Sequence, residues 1–411
     1  VIPDWLTARR ATAAREAELA ELPTPGQEVW RYSPVDELDI TRYTPAADGT
    51  STAEASLDSP FIPTRRAALV VVRDGQIVHN ESNAAGLTIA RLDELADPPA
   101  QLGTAVSEPD AFTLRNDALS GSGIVIDVAA NAVVEEPVVV VHQVTLDASL
   151  TFPRVLLRAG TSSQVTLLDV SLSTDVDALI IPIVELHVSA NAAVRYEAVQ
   201  ALGPRVWQIG TTGARVERDG RLTSAAVALG GAYARIRLDS KVLGPGAEAD
   251  LIAAYFGSGD QVHDFRTLQD HQSPKTTSDL LFKGVLTDTS RSVYSGLIRI
   301  RPGAAGSAAF QTNRNLVLGE GAHADSVPNL EIEENDVKCS HASAVGPVDE
   351  DQRYYLEARG VPSDVAERLI VLGFFEDVFE RTPVDELREP LRAAVAAKLA
   401  ASTALGGGTQ R

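Results

Sequence analysis

The segment DVKCSHASAVG, residues 336–346, holds the chain's single cysteine, Cys339, with His341 two positions on. In an extended segment residues i and i+2 project to the same side, so thiol and imidazole would face one space. An imidazolium neighbour lowers a thiol's pKa and raises its thiolate content, which suits nucleophilic attack, sulfur acceptance or soft-metal ligation. Against this, a lone cysteine is often simply a small buried hydrophobe. One pair of donors does not hold a cluster either, because an iron–sulfur or structural zinc site takes about four ligands. Any metal bound here needs further donors from elsewhere in the fold or from another chain.

A second group lies in VHDFRTLQDHQSPKTTSDLLFKG, where His263, Asp264, Asp270 and His271 fall within nine positions. Two imidazoles and two carboxylates are metal-ligand types, but their spacing matches no helix face or ligating loop, and a polar turn crossing explains them more simply. His79, His142, His187 and His323 are scattered and read as structural. The chain has no GxxxxGK[ST] stretch and no GxSxG, which argues against nucleotide hydrolysis and α/β-hydrolase chemistry on this chain.

What would position these groups is a run of short β-branched segments from about residue 65, among them ALVVVRDG, GIVIDV, EEPVVVVHQV, RVLLRAG and ARIRLDS. Tight-turn signals such as RDGQ, SANA, ERDGR and GPGAE separate them, with no long 3.6-residue periodicity between, so a doubly wound α/β fold is disfavoured. Gly160, Asn191, Gly220 and Gly246 recur at intervals of 31, 29 and 26 residues, the length of one coil of a β-solenoid. The near-repeats LGPGAEADL (from Leu243) and LGEGAHADS (from Leu318) suggest one rigid stacked turn used twice. A β-sandwich is the competing architecture.

The pattern divides into an N-terminal helical and extended region (1–64), a β core (65–347) and a C-terminal helical domain (348–411). Residues 5–21 read as a helix with Trp5, Leu6 and Leu19 on one stripe, stopped by Pro23 and Pro25; Trp30 and Tyr32 then flank Arg31 and would share one side of an extended segment. At the other end Asp349 and Gln352 form a capping box, Gly360 closes that helix, and Ser363 caps the next. Pro383 breaks this second helix, a third follows, and GGG at 406–408 reads as flexible. Leu369, Leu372, Phe374, Phe375 and Phe379 give the second helix an apolar face that either packs on its neighbours or docks a partner.

A net charge of −20 argues against nucleic acid and anionic membrane as partners, since phosphate binding needs clustered cations. One cysteine makes no intramolecular disulfide, the N-terminal stretch lacks a signal peptide's apolar core, and no 18-residue apolar run occurs; the expectation is a soluble cytoplasmic protein. The chain starts at Val1, which suggests missing upstream residues; it also contains no methionine, for which there is no physical account.

The run PNLEIEENDVKCSHASAVGPVDEDQRYYLEARGV, with HQSPKTTSDLLFKGVLTDTSRSVYSGLIRI before it, resembles the SufB/SufD family of iron–sulfur cluster assembly proteins, best over residues 263–375. VWRYSPVDEL resembles the N-terminal region of SufD-type members. The resemblance implies a right-handed parallel β-helix with helical ends, acting as a non-enzymatic scaffold. It implies pairing with a SufB-like paralogue through the β-helix, and a SufC-like ATPase on the helical stretch 363–382 that hydrolyses ATP in place of this chain. It also implies a transient iron–sulfur cluster shared with the partner chain. CSHASA stands where SufD-type sequences read CSHGAT, so Cys339 and His341 match the family's cysteine and histidine at the SufB–SufD interface. Ala342 replaces the glutamate that SufB-type sequences carry after that histidine, and Asn313 lies near where they carry a strand cysteine; both departures point to SufD. The alternatives are a purely structural subunit without cluster ligands, a homodimer without the paralogue, and a β-helix protein acting on carbohydrate. The last is disfavoured by 5% aromatic content.

Overall fold

A computed structural model describes residues 2–46, 58–121 and 123–402; the glycine run at 406–408 lies outside them. Two long parallel sheets face each other, and the chain winds between them as a parallel β-solenoid of about eight coils. In the second sheet the register carries Gln164 onto Ala193, Arg221, Glu248, Thr277 and Ala308 in turn, so each coil takes 27–31 residues.

A positive-φ residue sits at the same corner of seven successive coils: Asn131, Ser162, Asn191, Asp219, Gly246, Lys275 and Gly306. Asparagine, aspartate and glycine are the residues that best tolerate this left-handed geometry. Of the turn positions read from the sequence, Asn191 and Gly246 belong to this column; Gly160 and Gly220 lie one or two places off it. The two near-repeats occupy opposite corners. The copy at Leu243 precedes strand Glu248–Gly257 of the second sheet, and the copy at Leu318 precedes strand His323–Ile332 of the first. Their glycines also exchange roles: Gly246 and Gly319 take positive φ, whereas Gly244 and Gly321 allow close backbone approach.

Strand alternation sends every second side chain into the lumen. One column runs Val138, Leu167, Tyr196, Ser224, Leu251 and Leu280, all buried. Burying such a side chain contributes roughly 1.5–3 kcal/mol, and stacking repeats this in coil after coil. The lumen turns polar towards its C-terminal end, where Tyr255, Asn313 and Asn315 hydrogen-bond one another.

Among the described residues five α-helices decorate the solenoid: α1 (Asp4–Leu19), α2 (Ala111–Leu119), α3 (Glu350–Ala358), α4 (Ser363–Phe379) and α5 (Arg388–Ala401). None of the described helices is long and apolar enough to cross a membrane. The buried stripe of α1 is Leu6, Ala13 and Ala17, while Leu19 is 86% exposed at the helix end rather than on the stripe. The nine-residue α2, not foreseen from periodicity, starts at a capping box between Asp110 and Thr113 and packs on α1. Trp30 and Tyr32 do not share a side. Trp30 ends a 3₁₀ turn and is buried with the Arg235 guanidinium 3.6 Å from its ring, whereas Tyr32 has φ +67° and points to solvent.

Asp349 caps α3 through the amides of Asp351 and Gln352, and Gly360 follows in the left-handed region. Ser363 is the first residue of α4 rather than its cap; Pro362 occupies the cap position without a side-chain hydrogen bond. Helices α4 and α5 pack on the outer face of the second sheet, burying Val371, Phe375, Phe379, Leu391, Val395 and Leu399 against Val139, Leu168 and Phe256. Lys283 ties α4 down, donating to the Phe374 carbonyl at 2.8 Å and to Asp377 at 2.7 Å.

Candidate functional site

Cys339 and His341 lie on strand Val337–Gly346, the last strand of the second sheet. Cys339 stacks on the buried column Ala309, Ser278, Ala249 and Leu222, and His341 on Gln311 and Leu280. Both positions therefore continue lumen-facing columns at a point where no further coil covers them. Facing them across the lumen is the first sheet's last strand, His323–Ile332, in which Leu330 and Ile332 continue the inward columns of Ile298 and Ile300. Leu330, Ile332 and Val345 remain 37%, 44% and 46% exposed, although their counterparts one coil down are buried. Each of these end strands has one neighbour and one free edge among the described residues.

The thiol in this setting is not activated. Cys339 is half-buried against Ile298, Ile300 and Ala309, and burial pushes its pKa up, with no contribution from His341. His341, two positions along the strand, is exposed. No group of three or more His, Cys, Asp and Glu side chains among the described residues is arranged to hold a metal ion. Two donors at an open mouth offer part of a soft-ligand site, and the rest has to arrive from outside the chain.

Behind the mouth stands Asn313, fully buried, whose side-chain amide donates to Tyr255 at 3.0 Å and whose carbonyl accepts from Asn315 and Ser326, each at 2.9 Å. Ser343, its register neighbour on the end strand, donates to Ser326 at 2.7 Å. Thus the amide occupies a lumen position beneath the mouth, satisfied without any thiol. Ser326, Ser343 and Leu330 were not singled out from the sequence. The two-residue alternation counted from Cys339 and across the preceding strand was the available signal.

The second sequence group divides. His263 to His271 span one strand, Val262–His271, rather than a polar turn. His271 places both ring nitrogens on hydroxyls, Thr276 and Ser278, each at 2.7 Å, and burial lowers its pKa to about 4. Asp264 points to the outer face. Burial works against its charge, but Arg235 and Arg266 more than offset that and hold its carboxyl below the usual range. It also accepts from Tyr233 at 2.8 Å and Arg235 at 2.9 Å, anchoring the Trp30 segment. Asp270 is occupied by Arg301 at 2.8 and 2.9 Å. These are structural groups.

On α4 the five apolar residues separate by burial. Phe375 and Phe379 are fully buried and stacked on each other at 5.6 Å, part of the chain's own core. Phe374 and Leu372 are half-buried, and Leu369 is 50% exposed, in the same C-terminal region as the exposed Tyr354 and Tyr355 of α3.

Comparison with known proteins gives a consistent result. The family model described as SUF system FeS cluster assembly, SufBD core domain, matches residues 142–374. An iron–sulfur cluster assembly SufBD family protein of Mycobacterium tuberculosis is 42% identical over 190 residues, 44% of this chain and 48% of that protein, so the match spans about half its length. The iron–sulfur cluster assembly protein SufD of Bacillus subtilis is 29% identical over 417 residues, covering 97% of this chain and 94% of that protein. SufD of Escherichia coli is 28% identical over 214 residues, about half of each chain.

Proposed function

Because this chain belongs to the SufBD core family of the SUF iron–sulfur cluster assembly system, and within it is most like SufD, we propose that it serves as a non-enzymatic scaffold whose open solenoid end pairs with a SufB-like paralogue. The observation that carries the reading is the uncovered last coil: two free strand edges, exposed Leu330, Ile332 and Val345, and Cys339 beside His341 on the lumen-facing side. A paralogous β-helix end laid on this one supplies the missing strand neighbours, covers the apolar mouth and brings the further ligands that two donors lack. The nascent cluster is then cargo held between two chains. Desolvation by the partner alone raises the thiol further, so ligation or a cationic group from the partner has to favour the thiolate.

The SufC-like ATPase docks on the exposed surface of the C-terminal helices, with Leu369, Tyr354 and Tyr355 as the accessible apolar residues, while Phe375 and Phe379 hold that surface to the solenoid. ATP hydrolysis belongs to that partner. The second reading, a purely structural subunit of the same complex, keeps the pairing and drops the ligands; the raised thiol pKa of the isolated chain favours it.

The test is anaerobic co-expression with a SufB-like chain and a SufC-like ATPase, followed by purification of the complex and measurement of iron, sulfide and transfer to an apo-protein. Cys339→Ala and His341→Ala are expected to lower cluster content at least fivefold in a complex of unchanged stoichiometry and stability. Full cluster content in both variants leaves the structural-subunit reading and removes the composite site.

A further inference from the structure

On the outer face of the first sheet, register aligns Asp127, Arg158, His187, Arg215, Lys241 and Asp270 in one column, one residue per coil. Near its start the column is neutralised: Arg158 makes two hydrogen bonds to Asp127, at 2.5 and 2.6 Å. In the middle the rule breaks. Arg215 and Lys241 are direct register neighbours, and neither has an ion pair or side-chain hydrogen bond among the described residues. The carboxylates nearest Lys241 are already bound, Asp239 by Arg237 and Asp270 by Arg301. Like charges on adjacent strands destabilise a sheet, and this pair persists on a chain of net charge −20.

Beside Arg215 opens a cleft of about 440 Å³, lined also by Gln101, Thr104, His187, Ser189 and Glu217. His187 is only 9% exposed, and its Nε2 is buried with no hydrogen-bond partner. A cation pair without a direct counter-ion contact, next to a buried nitrogen without a hydrogen-bond partner, leaves two needs that one ligand could meet.

We propose that this cleft binds a tetrahedral oxyanion of the phosphate class, either inorganic or the end group of a small phosphomonoester. Arg215 takes two oxygens through its planar fork, Lys241 adds the flanking charge, and His187 Nε2 accepts a hydrogen bond from the anion's P–OH. The acceptor role follows from the ring's surroundings. Burial lowers its pKa to about 4; Glu185 and a backbone hydrogen bond at Gln101 pull the other way, Arg215 and Arg158 add to the lowering, and the ring is neutral near pH 7. A neutral acceptor requires an O–H donor, which inorganic phosphate carries near neutrality, a monoester carries only in its monoanionic fraction (second pKa about 6), and sulfate does not carry. Glu217 on the rim likewise favours a protonated anion over a fully ionised one.

The experiment is isothermal titration and thermal melting of the whole chain at pH 6.5 with inorganic phosphate, phenyl phosphate and, at equal ionic strength, sulfate. Saturable binding of phosphate, at least tenfold tighter than sulfate, is expected, and Arg215→Gln should weaken it at least tenfold. In phosphate-free buffer Arg215→Gln and Lys241→Gln should melt no lower than the parent chain, because each relieves the repulsion. Binding of phosphate alone identifies the inorganic ion as ligand; binding of phenyl phosphate too identifies the monoester class. No saturable response, equal response to sulfate, or phosphate binding that survives both substitutions overturns the proposal.

Discussion

The two ends of the solenoid meet the same physical problem and treat it differently. A stack of parallel strands leaves free edges and an uncovered lumen at each end, a liability for association. At the N-terminal end the chain turns back. A tight turn through Asp74 and Gly75, both at positive φ, lays Gln76–Ser82 antiparallel on Ala68–Arg73, and Leu87–Arg91 lies antiparallel on Ile124–Val128. Ile77, Leu87 and Ile89 cover the lumen core, while His79 and Glu81 face water. At the C-terminal end the chain leaves Gly346, runs into α3, and places α4 and α5 over the sheet's flank instead of its edge. A chain able to make a cap at one end and lacking it at the other has an end fitted for something else to cover.

One substitution made at both ends tests this contrast most severely. Val140, in the covered lumen near the N-terminal end, is fully buried. Val140→Asp puts a carboxylate where nothing solvates it, at a cost above about 4 kcal/mol, and no cooperative thermal transition is expected by circular dichroism. Leu330→Asp at the open mouth should keep stability within about 0.5 kcal/mol yet abolish co-purification with a SufB-like chain. Should Leu330→Asp unfold the isolated chain, the mouth is part of its own core and the two ends are alike.

The capped and open ends were unequally legible in the sequence. Coil length could be read because a left-handed turn recurs at one corner of successive coils and favours Asn, Asp or Gly, as at Asn191 and Gly246. The strand carrying Cys339 and His341 could be read because alternation is local. Whether that strand is covered is not local, since it depends on where the chain goes after Gly346. The same holds for Phe375 and Phe379: helical spacing marked an apolar face, but only the packing of α4 on the second sheet turned it inward. Trp30 eluded the reading because a 3₁₀ turn and the positive φ of Tyr32 broke the assumed alternation.

A smaller effect separates the flank helices from both ends. Glu197, on the outer face of the second sheet, accepts from the Val384 amide at 2.8 Å in the connection between α4 and α5. Burial raises its pKa to about 8, only partly opposed by that hydrogen bond and by Arg195 and Arg388. A raised carboxyl pKa means the folded chain holds a proton that the unfolded chain releases. Its contribution is therefore complete below about pH 4.5 and is lost as pH rises through about 8. The loss is on the order of 2–4 kcal/mol. Because His187 and His271, held neutral by burial, add an opposite slope below about pH 6.5 in both chains, the decline should be read by urea denaturation from pH 5 to 8 as the difference between the parent chain and Glu197→Gln. Lys398, lowered to about 8 by burial, adds an opposite slope only above that value. An unchanged slope in Glu197→Gln would show that burial of Glu197 under the α4–α5 connection is not what makes stability fall with pH.

The smallest predicted effect lies just beneath the open mouth and tests whether the polar lumen there belongs to the fold or to the interface. Asn313→Leu keeps the side chain's heavy-atom count and branching and removes three hydrogen bonds, but each partner retains some satisfaction. The Tyr255 hydroxyl still donates to Asn315 at 2.6 Å, and Ser326 still meets Ser343. Only the Asn315 amide loses its recorded partner, so the cost should be about 1–2 kcal/mol, the penalty of one unmet buried donor. Pairing with a SufB-like chain should be unaffected, since Asn313 itself is covered. If Asn313→Leu leaves stability unchanged while weakening the pairing, the network is working for the partner, and the boundary between covered lumen and open end lies one coil deeper than the exposed residues indicate.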